Sequence, residues 1–180
     1  MNRRKTRISL FEFLQCGNFG AFVPRRNCSP DALISILGKP DEIEVCAMGK
    51  AGERYVVGDA SCFPLILSYG LIEFHFDSPT TLYTLFSDRF HSGLPVGGSL
   101  KLIDTALLRY NRTLDDFLEL ARARGLSIQS ITPVASPYAL EVRTAAGTRL
   151  HFEHDDPDQE GSQATLRAFY WAHDFNAPTQ

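Results

Sequence analysis

A helix-opening signature occurs twice in this chain, 84 positions apart, and strand-like runs follow each copy. Ser29-Pro30-Asp31-Ala32-Leu33-Ile34 matches Thr113-Leu114-Asp115-Asp116-Phe117-Leu118. In both, a hydroxyl side chain stands where it can cap a helix, with acid in the first turn. The alternating run Glu73-Phe74-His75-Phe76-Asp77 has its counterpart in Arg149-Leu150-His151-Phe152-Glu153, 76 positions on, and Thr81-Leu82 against Thr165-Leu166 restores the offset of 84. The drift falls in loops. Repetition on this scale predicts an α+β protein of two tandem units, each one helix plus an antiparallel sheet, packed as one compact body because a single unit cannot bury its own apolar faces.

The expected organisation is a basic arm with a short helix (1–28), a first unit (29–90), a Gly/Pro-rich link with a possible strand (91–112), a second unit (113–175) and a loose tail (176–180). Ser9 with Glu12 has the form of a capping box, Gly17 offers a left-handed stop, and Leu10, Phe11 and Leu14 are the predicted buried face between them. The helix of the first unit should run over 30–37, with Ala32, Leu33, Ile36 and Leu37 inward and Gly38 and Pro40 ending it. After it, 43–47 and 54–57 read as a hairpin through Gly49 and Gly52, followed by strands over 63–68, 72–77 and 82–86. Thr113 opens the second helix, whose core face is Leu114, Phe117, Leu118 and Ala121. Arg122 and Arg124 sit near its end, before Gly125. Strands are expected over 127–134, 138–144, 148–154 and 165–171.

Several function classes are disfavoured by what the chain contains. Its longest apolar runs are about five residues against the roughly 20 that a spanning helix needs, and Glu12 interrupts the short apolar run behind Arg3, Arg4, Lys5 and Arg7, so no membrane role is expected and the protein reads as cytoplasmic. In that compartment Cys16, Cys28, Cys46 and Cys62, with no C-x-x-C pair, read as free thiols. The formal charge of −3 opposes nucleic-acid binding despite the basic arm. No Gly-x-Ser-x-Gly elbow or phosphate loop is present, and Gly93 to Gly98 reads as turns.

His75 and His151 each neighbour carboxylates, a pattern compatible with metal or general-base chemistry. Strand alternation puts both on the less buried sheet face, where inherited surface residues explain them equally. No cofactor, metal or catalytic residue is expected. Asp155, Asp156, Asp158 and Glu160 crowd the turn before the last strand, and the functional reading of that cluster is a negative patch that steers a basic partner. Tyr170, on the strand face opposite Phe169 and Trp171, supplies an aromatic anchor of the kind that dominates binding hot spots. These five residues are the predicted partner contacts.

Leu37-Gly38-Lys39-Pro40 after a helix, then Tyr69-Gly70 before Ile72-Glu73-Phe74-His75-Phe76, with Phe13-Leu14 and Gly17-Asn18-Phe19-Gly20 at the amino end, resembles a group of small bacterial immunity proteins of toxin systems over most of residues 9–154. The repeat is also similar to the tandem fold of beta-lactamase inhibitor protein and the BamE-like lipoproteins, although this chain lacks a lipobox cysteine. The resemblance implies a non-enzymatic protein that neutralises a cognate toxin by binding and occluding it. A regulatory or scaffold module binding another protein is the alternative.

Overall fold

In the computed structural model, which describes residues 6–46, 54–57, 59–88, 97–134, 139–154 and 161–172, the short strand β1 (Arg7–Ser9) runs straight into helix α1 (Leu10–Cys16). Ser9 is the cap, its Oγ accepting the Glu12 N–H at 3.1 Å, and Gly17 closes the helix at φ 76°. The buried face differs from the expected one. Leu10, Phe13 and Leu14 are inside while Phe11 is only partly covered, because Phe13 meets Phe19 and Phe169 edge-on at 5.6 and 6.1 Å. The last part of the basic arm is structural, since β1 pairs in parallel with β6 (Lys101–Ile103) and sets Arg7 opposite Lys101. Arg3, Arg4 and Lys5 lie outside the described residues, as does the tail.

Helix α2 (Pro30–Leu37) has the predicted bounds, and helix α3 (Leu114–Ala123) follows Thr113. In α2 only Leu33 and Leu37 of the predicted stripe are buried; Ala32 and Ile36 face outward. In α3 Leu114, Phe117 and Ala121 point inward, with Leu118 partly covered. The two caps act alike: Ser29 Oγ accepts the Ala32 N–H at 3.1 Å and Thr113 Oγ1 accepts the Asp116 N–H at 3.2 Å. Ser29→Ala and Thr113→Ala are each expected to cost about 1 kcal/mol in urea unfolding with an unchanged slope. A neutral result at either position would mean that its hydroxyl does not hold the helix start.

The remaining strands build one antiparallel sheet. In chain order they are β2 (Glu42–Val45), β3 (Leu65–Tyr69), β4 (Ile72–Ser78), β5 (Thr81–Ser87), β7 (Ile128–Pro133), β8 (Ala139–Thr144), β9 (Arg149–Glu153) and β10 (Thr165–Ala172). Their order across the sheet is β2-β3-β4-β5-β10-β9-β8-β7. The last strand after each long helix therefore lies at the centre, Phe169 opposite Ser87 and Trp171 opposite Leu85.

The predicted hairpin between 43–47 and 54–57 is not formed by the described residues. β2 pairs with β3, Ile43 opposite Leu67, and 54–57 hold no strand. The reason is burial: Leu65, Leu67 and Tyr69 alternate inward and seat β3 on the core, while Val56 and Val57 remain 57% and 71% exposed. Tyr55 instead turns its hydroxyl toward Asp31 of α2, and its ring meets Phe63.

Helices α1 and α3 pack on the same side of the sheet, Phe13 against Phe169 and Phe117 against Phe152. Phe74, Phe76, Leu85, Leu150, Phe152 and Phe169 are fully buried on that side, where Phe117 of α3 meets Phe152 at 5.6 Å and Phe19 meets Phe74 at 5.7 Å. Asp41, at the entrance to β2, fixes the loops at one end by accepting the N–H groups of Gly70 and Ser99, each at 2.9 Å. Among the described residues no helix is long and apolar enough to cross a membrane.

Candidate binding face

The alternation that buries Phe74 and Phe76 turns Glu73 and His75 to the opposite face of the sheet. Strand register carries this face across the molecule in one row: Glu42, Ser68, Glu73, Phe86, Tyr170, Arg149 and Arg143 are successive cross-strand partners. Side chains along the row are partly covered by one another, except Glu42, which is exposed at the edge.

Tyr170 stands at the centre of the row. Its hydroxyl donates to Glu141 Oε2, and the Arg149 guanidinium lies 5.8 Å from its ring centroid and 3.7 Å from the same carboxylate. Burial, then the hydrogen bond and charge of Glu141, push the phenol up from 10 to about 12, with Arg149 acting the other way. Because the folded-state value lies above the unfolded one, the unfolded chain loses this proton first. The stabilisation is complete below pH 10 and is lost as pH rises from about 10 to 12. Tyr170→Phe is expected to flatten the fall of stability in that window and to remove a late-titrating phenolate from the ultraviolet spectrum. An unchanged alkaline titration would contradict the Tyr170–Glu141 bond.

Beside Tyr170 the face sinks into a pocket of about 460 Å³. Phe86 from β5, Asp88 just after that strand, His151 and Glu153 from β9, and Arg167, Ala168 and Tyr170 from β10 line it, and Tyr110 from the segment before α3 completes the wall. Arg167 reaches this position because β10 bulges there, its register with β9 shifting between Leu166 and Ala168. The Arg167 Nη1 donates to the Tyr110 hydroxyl at 2.7 Å and to Asn111 Oδ1 at 3.1 Å, the guanidinium lies 5.3 Å from the Tyr110 centroid, and Nε is 4.0 Å from Glu153. The pocket wall is thus braced from inside.

The two histidines are not brought together. His75 Nε2 lies 2.9 Å from Glu73 and His151 Nε2 lies 2.9 Å from Glu153, and β5 and β10 stand between their strands. Among the described residues no group of three His, Cys, Asp or Glu side chains is placed to hold a metal ion. The four cysteines are free thiols, Cys28 and Cys62 buried, and burial raises the Cys28 thiol above its ordinary range.

Of the five predicted partner contacts, Tyr170 is placed on this face, and Asp155, Asp156, Asp158 and Glu160 lie outside the described residues. Sequence reasoning missed Tyr110, Arg167 and Asp88. The aromatic Tyr110-Asn111 step directly before the capping Thr113 was the available signal for the first. Nothing in the strand pattern marks the bulge that aims Arg167. No family model, curated protein or solved structure matches this chain.

Proposed function

We propose that this chain is a non-catalytic immunity protein that neutralises a bacterial toxin by covering it with the open face of the sheet. The observation that carries the reading is the central row of aromatic and charged side chains with its braced pocket, on the sheet face opposite the fully buried Phe74, Leu85, Leu150 and Phe169. Aromatic side chains with polar handles, held in fixed positions, are what a protein-binding hot spot needs. Phe86 and Tyr170 provide the aromatic surface across the β5–β10 seam, and the Tyr170 hydroxyl provides the handle.

The body that presents this face is, in our reading, two tandem helix-and-sheet units joined at that seam. Three features support it. The strand order has four strands following α2 on one side and four following α3 on the other. The caps Ser29 and Thr113 stand 84 positions apart and each bonds the N–H three residues on. The chain before each helix bridges to the start of the last strand in its own half, Asn27 to Thr81 and Thr113 to Thr165. Two such units make a surface about twice as broad as either alone, which favours a protein partner over a small substrate.

Co-expression with a toxin encoded beside this chain is expected to restore growth and to yield a stable complex. The absence of both rescue and complex would overturn the proposal; a complex with a non-toxin protein and no rescue would favour a scaffold or regulatory module. The acidic segment between β9 and β10 is assigned the steering role. Reversing Asp155, Asp156 and Asp158 to lysine should slow association roughly tenfold at low ionic strength and much less at high salt. Equal rates would remove steering from the mechanism.

A further inference from the structure

We propose that the pocket beside Tyr170 receives one cationic side chain, an arginine or lysine, of the protein that docks on the open face. This rests on the binding role given to that face. Three rings, Phe86, Tyr110 and Tyr170, line the pocket together with the carboxylates of Asp88 and Glu153. Aromatic walls combined with carboxylates favour cations, because ring faces carry negative potential and the carboxylates supply full charge. The molecule already uses the same chemistry internally, with guanidinium groups 5.3 Å from the Tyr110 centroid and 5.8 Å from that of Tyr170.

Charge and size select the occupant. Two carboxylates, Asp88 and Glu153, line the pocket against the one guanidinium of Arg167. Arg167 is turned to wall-building: its Nη1 serves Tyr110 and Asn111 and its Nε side faces Glu153, so it braces the pocket more than it offers a fork to an anion. A volume of about 460 Å³ is near the lower end of the roughly 300–1,000 Å³ typical of ligand sites, room for one long side chain and its water. Phe86 and Ala168 give the aliphatic stem an apolar surface while the head meets the carboxylates.

The test uses the purified chain and four small probes: the N-acetyl methylamides of arginine, lysine, norleucine and glutamate. The arginine and lysine probes are expected to shift the ring resonances of Phe86, Tyr110 and Tyr170 saturably in the millimolar range, with norleucine and glutamate at least fivefold weaker. Asp88→Asn should weaken the arginine probe about tenfold. Ala168→Leu, which adds bulk at a lining position, should abolish the shifts, and thermal unfolding reports whether each variant is folded. Norleucine or glutamate binding as tightly as arginine, or arginine shifts confined to other parts of the chain, would overturn the cation pocket. No toxin enters this titration. Probe failure beside intact toxin binding discards the pocket's occupant alone, and probe success without any toxin complex discards the immunity role alone.

Discussion

Phe74→Ala is expected to destabilise the protein by about 3–5 kcal/mol, the range for removing a fully buried aromatic ring. The ring has no exposed surface and sits between Phe19 at 5.7 Å, Tyr69 at 5.7 Å and Phe22 at 5.8 Å, all edge-on, so its loss opens a cavity that three other rings cannot close without leaving their own positions. Edge-to-face pairs add about 0.5–1.5 kcal/mol each beyond burial, which places the effect toward the upper part of the range. Against a typical total of about 5–15 kcal/mol, this is a large fraction. Its neighbour His75 points to the other face, and His75→Ala is expected to cost less than about 1 kcal/mol. Urea unfolding of both variants is the check. Similar losses at the two positions would contradict the division of β4 into a core face and an open face.

Gly98→Ala is expected to cost about 3 kcal/mol, more than the roughly 1–2 kcal/mol that its backbone conformation alone explains. Gly98 has φ +54°, in the left-handed region that disfavours residues with a side chain. A methyl group there would fall 1.8 Å from Asp41 Oδ2 and 2.4 Å from the Gly70 nitrogen, so the clamp that ties three turns together must open. The Gly70 and Ser99 bonds to Asp41 are solvent-exposed, so weakening both adds about 1–2 kcal/mol to the conformational cost. Gly125 supplies the control. It has φ +71° with open space for 4 Å around the position a methyl would take, and Gly125→Ala should show only the conformational cost of about 1–2 kcal/mol. Urea unfolding measures both losses, and equal values at Gly98 and Gly125 would mean that the Asp41 clamp contributes little.

Local signals in the sequence located the helices and most strands because the deciding physics there is local. A serine or threonine cap followed by an apolar stripe needs no tertiary knowledge, and α2 has the bounds that Ser29-Pro30 and Gly38 imply. The alternation in β4 and β9 likewise reports burial directly. Pairing was less legible. β1 meets β6 from the far side of both the first helix-and-strand stretch and its link, and β2 lies against β3 because β3 offers a buried alternating face that 54–57 lack. Within α1, Phe13 outranks Phe11 since the choice depends on Phe169, a residue from the last strand.

The site was legible only where one strand decides it. Tyr170 could be assigned to the face opposite Phe169 from alternation alone. The Arg167 position depends on a bulge, and Tyr110 depends on how the chain before α3 lies along β10, where the Asn111 N–H donates to the Leu166 carbonyl and the Leu166 N–H to that of Arg112. Neither leaves a period in the sequence.

Oxidative footprinting of the aromatic side chains, free and in complex with the proposed partner, tests the open-face account most directly. Oxidation of Phe86, Tyr110 and Tyr170 is expected to fall several-fold in the complex, while Phe11 and Tyr55, beside the helices, stay as reactive as in the free chain. Protection at Phe11 and Tyr55 with Phe86, Tyr110 and Tyr170 unchanged would place the partner on the helical side and contradict it.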